Sequence, residues 1–152
     1  ALMLGNLEEA QTSVTLVLDS ENPQTLLIAS NTRAGILARQ HRFYDARKWG
    51  FEALTIAKTL NDLPMTAVCN GNIAQLAELL ENDSEAIHYY RESLKLSEET
   101  KNYAQVILVL NNLANFFISK REIQQAKSLI EKALLLSEKN RLMRMKPLLQ
   151  AS

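Results

Sequence analysis

The sequence predicts an all-α fold of stacked antiparallel helical hairpins, and three observations support this prediction. The 152-residue chain contains only 4 Gly and 3 Pro, and 47% of its residues are hydrophobic, a composition typical of ordered helical proteins. Apolar residues recur at spacings of three and four on both sides of short polar turns, which indicates amphipathic helices. The whole pattern returns every 40 residues. Because one hairpin cannot bury its apolar face alone, consecutive hairpins are expected to stack.

The repeat is defined by three segments that align without a gap: AGILARQHRFYDARKWGFEALTIAK (34–58), AQLAELLENDSEAIHYYRESLKLSE (74–98) and ANFFISKREIQQAKSLIEKALLLSE (114–138). Alanine occupies two of the shared columns, at Ala34, Ala74 and Ala114 and at Ala46, Ala86 and Ala126. We therefore expect one domain, residues 1–152, with a partial repeat 1–22, full repeats at about 23–62, 63–102 and 103–140, and a C-terminal capping or partial-repeat segment 141–152.

Helix boundaries follow from local signals along each copy. The leading partial copy is GNLEEA (5–10), and the first helices of two full copies start at Asn22-Pro23 and Asp62-Leu63-Pro64, because proline is tolerated in a first turn. Polar turns at 41–42, 81–83 and 120–121 separate the two helices of each copy. Asp83 or Ser84 is expected to cap the helix that follows. Pro147 is expected to shorten or kink any helix in the tail.

The repeat resembles the tetratricopeptide repeat. The similarity rests on the alanine columns, on GNLEEA, on SEAIHYY (84–90), and on Tyr90 and Ile130 four residues after the second alanine. Gly50 departs from that last column, and Arg33 departs from the apolar residues of its column. The 40-residue period resembles a longer-helix subclass that includes kinesin light chains, spindle-orientation G-protein modulators and Rap-type regulators, and LNNLA (110–114) is similar to kinesin light chain repeats. The resemblance implies a right-handed α-solenoid.

No enzyme, cofactor or metal site is predicted. His41 and His88 are isolated in the sequence, and no metal-binding or phosphate-binding motif occurs. Cys69 is the only cysteine, which excludes an intrachain disulfide and favours a reducing, cytoplasmic compartment. No apolar stretch reaches the roughly 18 residues of a membrane span, and a formal net charge of zero gives no support for nucleic-acid or membrane attraction.

The resemblance implies a concave groove lined by the first helix of each repeat. Aligned columns assign nine residues to this predicted groove: Asn31, Arg39, Asn72, Gln75, Glu78, Asn111, Asn112, Asn115 and Ile118. Amide side chains offer both a donor and an acceptor, which suits the backbone of an extended peptide. The alternative is that the amides bridge helices or meet water. Asn72 and Asn115 match part of the family's carboxylate clamp, but its basic partners are missing, so a C-terminal carboxylate ligand is not favoured.

These observations predict a non-catalytic module that binds a protein or peptide partner, as an extended peptide or a partner helix, in the predicted groove. One alternative is a peptide-sensing regulatory domain of a larger signalling or transcriptional regulator. Another is a purely structural solenoid segment. We also expect self-association through exposed terminal repeats, because the tail around Met143 carries apolar and basic residues.

Overall fold

Six α-helices make up the computed structural model, which describes residues 22–150. They are α1 (Pro23–Arg39), α2 (Phe43–Thr59), α3 (Leu63–Leu79), α4 (Asp83–Glu99), α5 (Tyr103–Ser119) and α6 (Ile123–Gln150). No strand occurs within these residues. GNLEEA and the predicted partial repeat, apart from its last residue, lie outside the described range. The helices fall into an N-terminal unit that ends at Ser93 and a C-terminal unit that begins at Leu94, so the division lies within α4.

Each of the first five helices has 17 residues, and each is followed by the same short turn. The second turn residue always has a positive φ, between 52° and 61°, and none of these residues is glycine: His41, Asn61, Glu81, Lys101 and Arg121. The turn closes with two backbone hydrogen bonds, such as His41 N–H to Ala38 and Arg42 N–H to Leu37. This is the Schellman arrangement, which satisfies the last carbonyl groups of a helix.

Side chains at the position before a helix cap its free N–H groups. Asn22 accepts hydrogen bonds from Gln24 and Thr25 at α1, and Asp62 accepts one from Met65 at α3, as the two start signals predicted. The expected cap of α4 was wrong by one or two positions. There, Asn82 accepts the hydrogen bond from the Glu85 N–H; Asp83 and Ser84 belong to the helix itself.

The core of the N-terminal unit lies where small residues let the helices approach. Ala34, Ala46, Ala74 and Ala86 are all at most 4% exposed. A cluster centred on Leu27, Leu54, Cys69 and Ile73 joins α1, α2 and α3. Arg33 does not enter this cluster; its guanidinium carbon lies 5.1 Å from the centre of the Trp49 ring. The cation is therefore held on an aromatic face, which accounts for a charged residue in an otherwise apolar column.

The core of the C-terminal unit packs α5 against α6 and the end of α4. Val106 and Leu110 of α5 contact Ala133 of α6, with Leu94 of α4 packed against them. The helix α6 continues through Pro147 to Gln150, so the expectation that this proline shortens the helix was wrong. Proline removes one backbone donor from a helix; this turn is exposed, so water can bind the carbonyl group left without that donor.

Candidate functional site

All nine residues of the predicted groove lie on the first helices α1, α3 and α5. The N-terminal unit contains Asn31 and Arg39 on α1, and Asn72, Gln75 and Glu78 on α3. The four that remain belong to α5 in the C-terminal unit: Asn111, Asn112, Asn115 and Ile118. The structure gives these two groups different surroundings, and each is described within its own unit.

Two of the predicted amides bind each other. The Asn72 Nδ2 group donates a hydrogen bond of 2.9 Å to Asn31 Oδ1, and both side chains are half-buried. The bond links α1 to α3, the consecutive first helices of the N-terminal unit. One donor of Asn72 and one lone pair of Asn31 are thus used within the protein, as the helix-bridging alternative expected.

Glu78 is also engaged within the N-terminal unit. The Tyr90 hydroxyl donates a hydrogen bond of 3.0 Å to Glu78 Oε2, which connects α4 to α3. Burial of the Tyr90 side chain raises the pKa of its hydroxyl above the ordinary 10.0, and the Glu78 charge and hydrogen bond raise that pKa further. The hydroxyl therefore stays protonated at neutral pH, and the carboxylate serves as its acceptor.

Arg39 and Gln75 differ from these engaged residues because both are exposed. Arg39 occupies the last turn of α1, where a cation interacts favourably with the helix dipole. Gly35, one turn earlier, leaves open space around the position of a Cβ atom. Among the predicted groove residues of the N-terminal unit, the exposed ones are therefore Gln75 and the cation Arg39, with open space beside Gly35.

In the C-terminal unit, the predicted residues share one solvent-facing side of α5. Asn111 and Asn115 are exposed, Ile118 is 46% exposed, and Asn112 is half-buried. The other side of the helix is buried and apolar: Val106, Val109, Leu110, Leu113, Phe116 and Phe117. Asn111 and Asn115 therefore meet solvent and avoid the cost of roughly 1–3 kcal/mol for an unpaired buried amide.

The alignment of columns missed one residue on this side of α5. Leu108 is 51% exposed and lies three residues before Asn111, so both side chains share a face. The signal was present in the sequence, because Val68 and Ile28 occupy the same column one and two repeats earlier, respectively, and Ile28 is exposed as well. We define the α5 face as Leu108, Asn111, Asn115 and Ile118.

The side chains that could ligate a metal ion are dispersed over the described residues. No group of three or more His, Cys, Asp or Glu side chains there is arranged to hold a metal ion. Burial, and to a smaller extent the charge of Asp62, raises the pKa of the Cys69 thiol to about 11, so at neutral pH the nucleophilic thiolate is absent. The same residues include no helix long and apolar enough to cross a membrane.

Comparison with protein families gives two matches, both to tetratricopeptide repeat models. One covers residues 24–99 and the other covers residues 108–140. A comparison of the sequence with curated proteins finds no match. The two family matches confirm the resemblance inferred from the alanine columns.

Solved structures with the same fold include BtubC (BKLC) from P. vanneervenii and the apo form of RapI. BtubC is 20% identical, with a TM-score of 0.77 over 91% of this chain and 58% of its own. RapI is 17% identical, with a TM-score of 0.76 over 89% of this chain and 49% of its own. The chain thus spans about half the length of each, and the matches confirm the predicted fold class, an all-α solenoid of stacked helical hairpins.

Proposed function

Because the chain belongs to the tetratricopeptide repeat family, whose repeats indicate a protein-interaction module, we propose that it binds an extended peptide along the α5 face. The observation that carries this proposal is the exposure of Leu108, Asn111, Asn115 and Ile118 on one side of an otherwise buried apolar helix. Apolar residues at the two ends and amides in the middle make this face suitable for peptide binding.

The spacing of the amides suits the repeat of an extended chain. Asn111 and Asn115 are separated by four helical residues, or about 6 Å along the axis at 1.5 Å per residue. Two residues of an extended peptide advance about 6.6 Å, and their backbone groups then point to the same side. Each amide therefore meets an equivalent peptide group and offers it one donor and one acceptor.

The ends of the α5 face supply apolar contacts. Leu108 and Ile118 are ten residues apart, which corresponds to about 15 Å along the helix and to four or five residues of extended chain. A peptide with apolar side chains at that separation would bury both residues. The face carries no charge, so a peptide with apolar anchors and a neutral centre is preferred over a strongly acidic or basic one.

The proposal is tested with peptides selected from a displayed random library against the purified chain. The affinity of one selected peptide is then compared for wild type, Asn111→Ala, Asn115→Ala and the double variant. Loss of a hydrogen bond to a peptide backbone costs about 0.5–1.5 kcal/mol, so each single variant should bind about two- to tenfold more weakly. Ile118→Ala should weaken binding as well.

Backbone recognition is tested with N-methylated versions of the same peptide. Methylation at the contacted peptide group removes its donor, so Asn111→Ala or Asn115→Ala should then cause little further loss. Lys95→Ala is the matched control, since Lys95 is exposed on a second helix. If the selected peptides bound every variant with wild-type affinity, the α5 face would not be the binding surface. A helical peptide in the complex, seen by circular dichroism, would contradict the extended conformation.

A further inference from the structure

The helix α6 exposes more large apolar side chains than any other described helix. They form two rows, which differ in the burial of the equivalent residues in earlier repeats. The first row includes Ile130 and Leu134, and the second includes Leu135 and Leu142. Apolar side chains exposed together on one surface often mark an interaction site. The aligned columns of the repeat distinguish the two rows.

The first row has buried equivalents in the preceding repeats. Leu134 is 64% exposed, whereas Leu54, its equivalent in the N-terminal unit, is 4% exposed and shares a cluster with Cys69 and Ile73 of the following first helix α3. Stacking of one repeat on the next therefore covers this column where a following repeat is present.

The second row has no such equivalent. Leu135 is 73% exposed, and its column contains Thr55 and Lys95, both also exposed. Stacking within the solenoid leaves this column in water, so stacking does not explain a leucine here. Leu142, 55% exposed, continues the row where α6 extends beyond the length of the other helices.

The row containing Leu135 and Leu142 is self-complementary. Its members lie on the side of α6 opposite the buried Ala126 and Ala133, and we define them as the outer stripe: Glu131, Leu135, Glu138, Lys139, Leu142 and Lys146. The stripe is symmetric about a point between Glu138 and Lys139. Reversing its direction exchanges leucine with leucine and every glutamate with a lysine.

We propose that the outer stripe is an interface between two copies of this chain, which pair antiparallel about a two-fold axis between Glu138 and Lys139. Leu135 of each copy packs against Leu142 of the other. Glu138 pairs with Lys139 of the second copy, and Glu131 pairs with Lys146. A parallel arrangement would instead place like charges opposite each other. Antiparallel two-fold pairing is the arrangement that satisfies every position of the stripe.

Intrahelical contacts of the same charges do not prevent this pairing. Glu138 binds Arg141 at 2.7 Å, and Glu131 lies 3.9 Å from Lys127. All four side chains are mostly exposed, and exposed ion pairs of this type contribute little to stability. Redirecting the two glutamates towards the second copy therefore costs little, while burial of the leucines favours association.

Sedimentation equilibrium of the purified chain, extended to about 1 mM, measures the monomer–dimer constant. Leu135→Lys should weaken dimerisation at least about tenfold, because two leucine contacts are lost per dimer. Leu134→Lys, the matched control in the first row, should change the constant less than about threefold. A wild-type chain that stays monomeric up to this concentration would overturn the proposal, as would greater sensitivity at Leu134 than at Leu135.

Charge reversal tests the antiparallel register. Glu138→Lys and Lys139→Glu should each weaken dimerisation, because each places like charges together twice. An equimolar mixture of the two single variants should dimerise as well as wild type, because each copy then faces its opposite. Circular dichroism should show the same helix content for both variants. Failure of the mixture to dimerise would exclude the proposed axis.

Cross-linking supplies an independent readout of the same register. A mixture of Leu135→Cys and Leu142→Cys copies should form an intermolecular disulfide under mild oxidation, and either variant alone should form much less. Cys69 is buried, so it does not contribute to the background. Equal cross-linking in the separate variants and in the mixture would contradict the antiparallel arrangement.

Discussion

The first helices α3 and α5 use the same amide side chain in opposite ways. Asn72 of α3 is half-buried and donates a hydrogen bond to Asn31, so it joins two helices of the N-terminal unit. Asn111 and Asn115 of α5 face solvent, while the other side of α5 forms the core of the C-terminal unit. Asparagine therefore joins two helices at position 72 and is exposed to solvent at positions 111 and 115.

The difference shows how little a helix needs to change to expose amide side chains to solvent. The column of Asn72 lies one residue, about 100° around the helix, from the column of Asn111. Substitution of Asn72 should lower stability, whereas substitution of Asn111 should weaken peptide binding without lowering stability. The following variants test this contrast and are given in order of decreasing expected effect.

The largest effect is expected where both units depend on the same small residue. Ala86→Leu in the N-terminal unit and Ala126→Leu in the C-terminal unit should each lower the free energy of unfolding by about 1–3 kcal/mol, as overpacking does. Both alanines are at most 1% exposed. Urea denaturation measures the change, and unchanged stability in both variants would mean that the repeat register is wrong.

The amides themselves should separate the two helices. Asn72→Ala should lower the free energy of unfolding by about 1 kcal/mol, since it removes the hydrogen bond to Asn31. Asn111→Ala should leave it unchanged or raise it by up to about 0.5 kcal/mol, because alanine is the better helix former. Thermal melts of both variants, with an Asn31→Ala/Asn72→Ala double-mutant cycle, provide the comparison. Equal losses in the two units would remove the distinction.

The turns offer a smaller, stabilising change. Lys101→Gly and Arg121→Gly should each raise the free energy of unfolding by about 0.5–1 kcal/mol, because a positive φ is costly for side chains other than glycine. Asn61→Gly should gain less, since asparagine tolerates this conformation better. Urea midpoints of the three variants test the ranking, and a gain that is largest at Asn61 would contradict it.

The smallest change in the free energy of unfolding at neutral pH is expected for Cys69→Val. Valine already occupies the same column in α5, at Val109. The pKa of the folded thiol is about 11, against an ordinary 9.0, so the folded state retains its proton more tightly. Its contribution to stability is constant below about pH 9 and is lost as the pH rises from about 9 towards 11. The difference in unfolding free energy between wild type and Cys69→Val, measured from pH 7 to 11, should therefore change only above pH 9. A change between pH 7 and 8 would contradict the buried, protonated thiol.

Much of the fold was determined by local patterns in the sequence. The spacing of apolar residues and the Asn-Pro and Asp-Leu-Pro start signals act over one or two helical turns, and the 40-residue recurrence of alanine shows that the same helical hairpin is repeated. Such signals are readable because they depend on helix geometry and on nearby backbone groups. The conformation of the turns was harder to predict from the sequence. His41 and Glu81 adopt positive φ values at positions where glycine is the usual signal.

The tertiary structure alone decided which polar side chains are engaged. The sequence places Asn31, Asn72 and Asn111 in equivalent or adjacent columns, yet only contact between α1 and α3 reveals that the first two bind each other. Likewise, only the structure shows that Leu135 is exposed in a column whose other members, Thr55 and Lys95, are exposed as well. Helix formation is governed by neighbours three or four residues away, whereas engagement and exposure depend on residues about 40 positions distant, whose placement is set by packing.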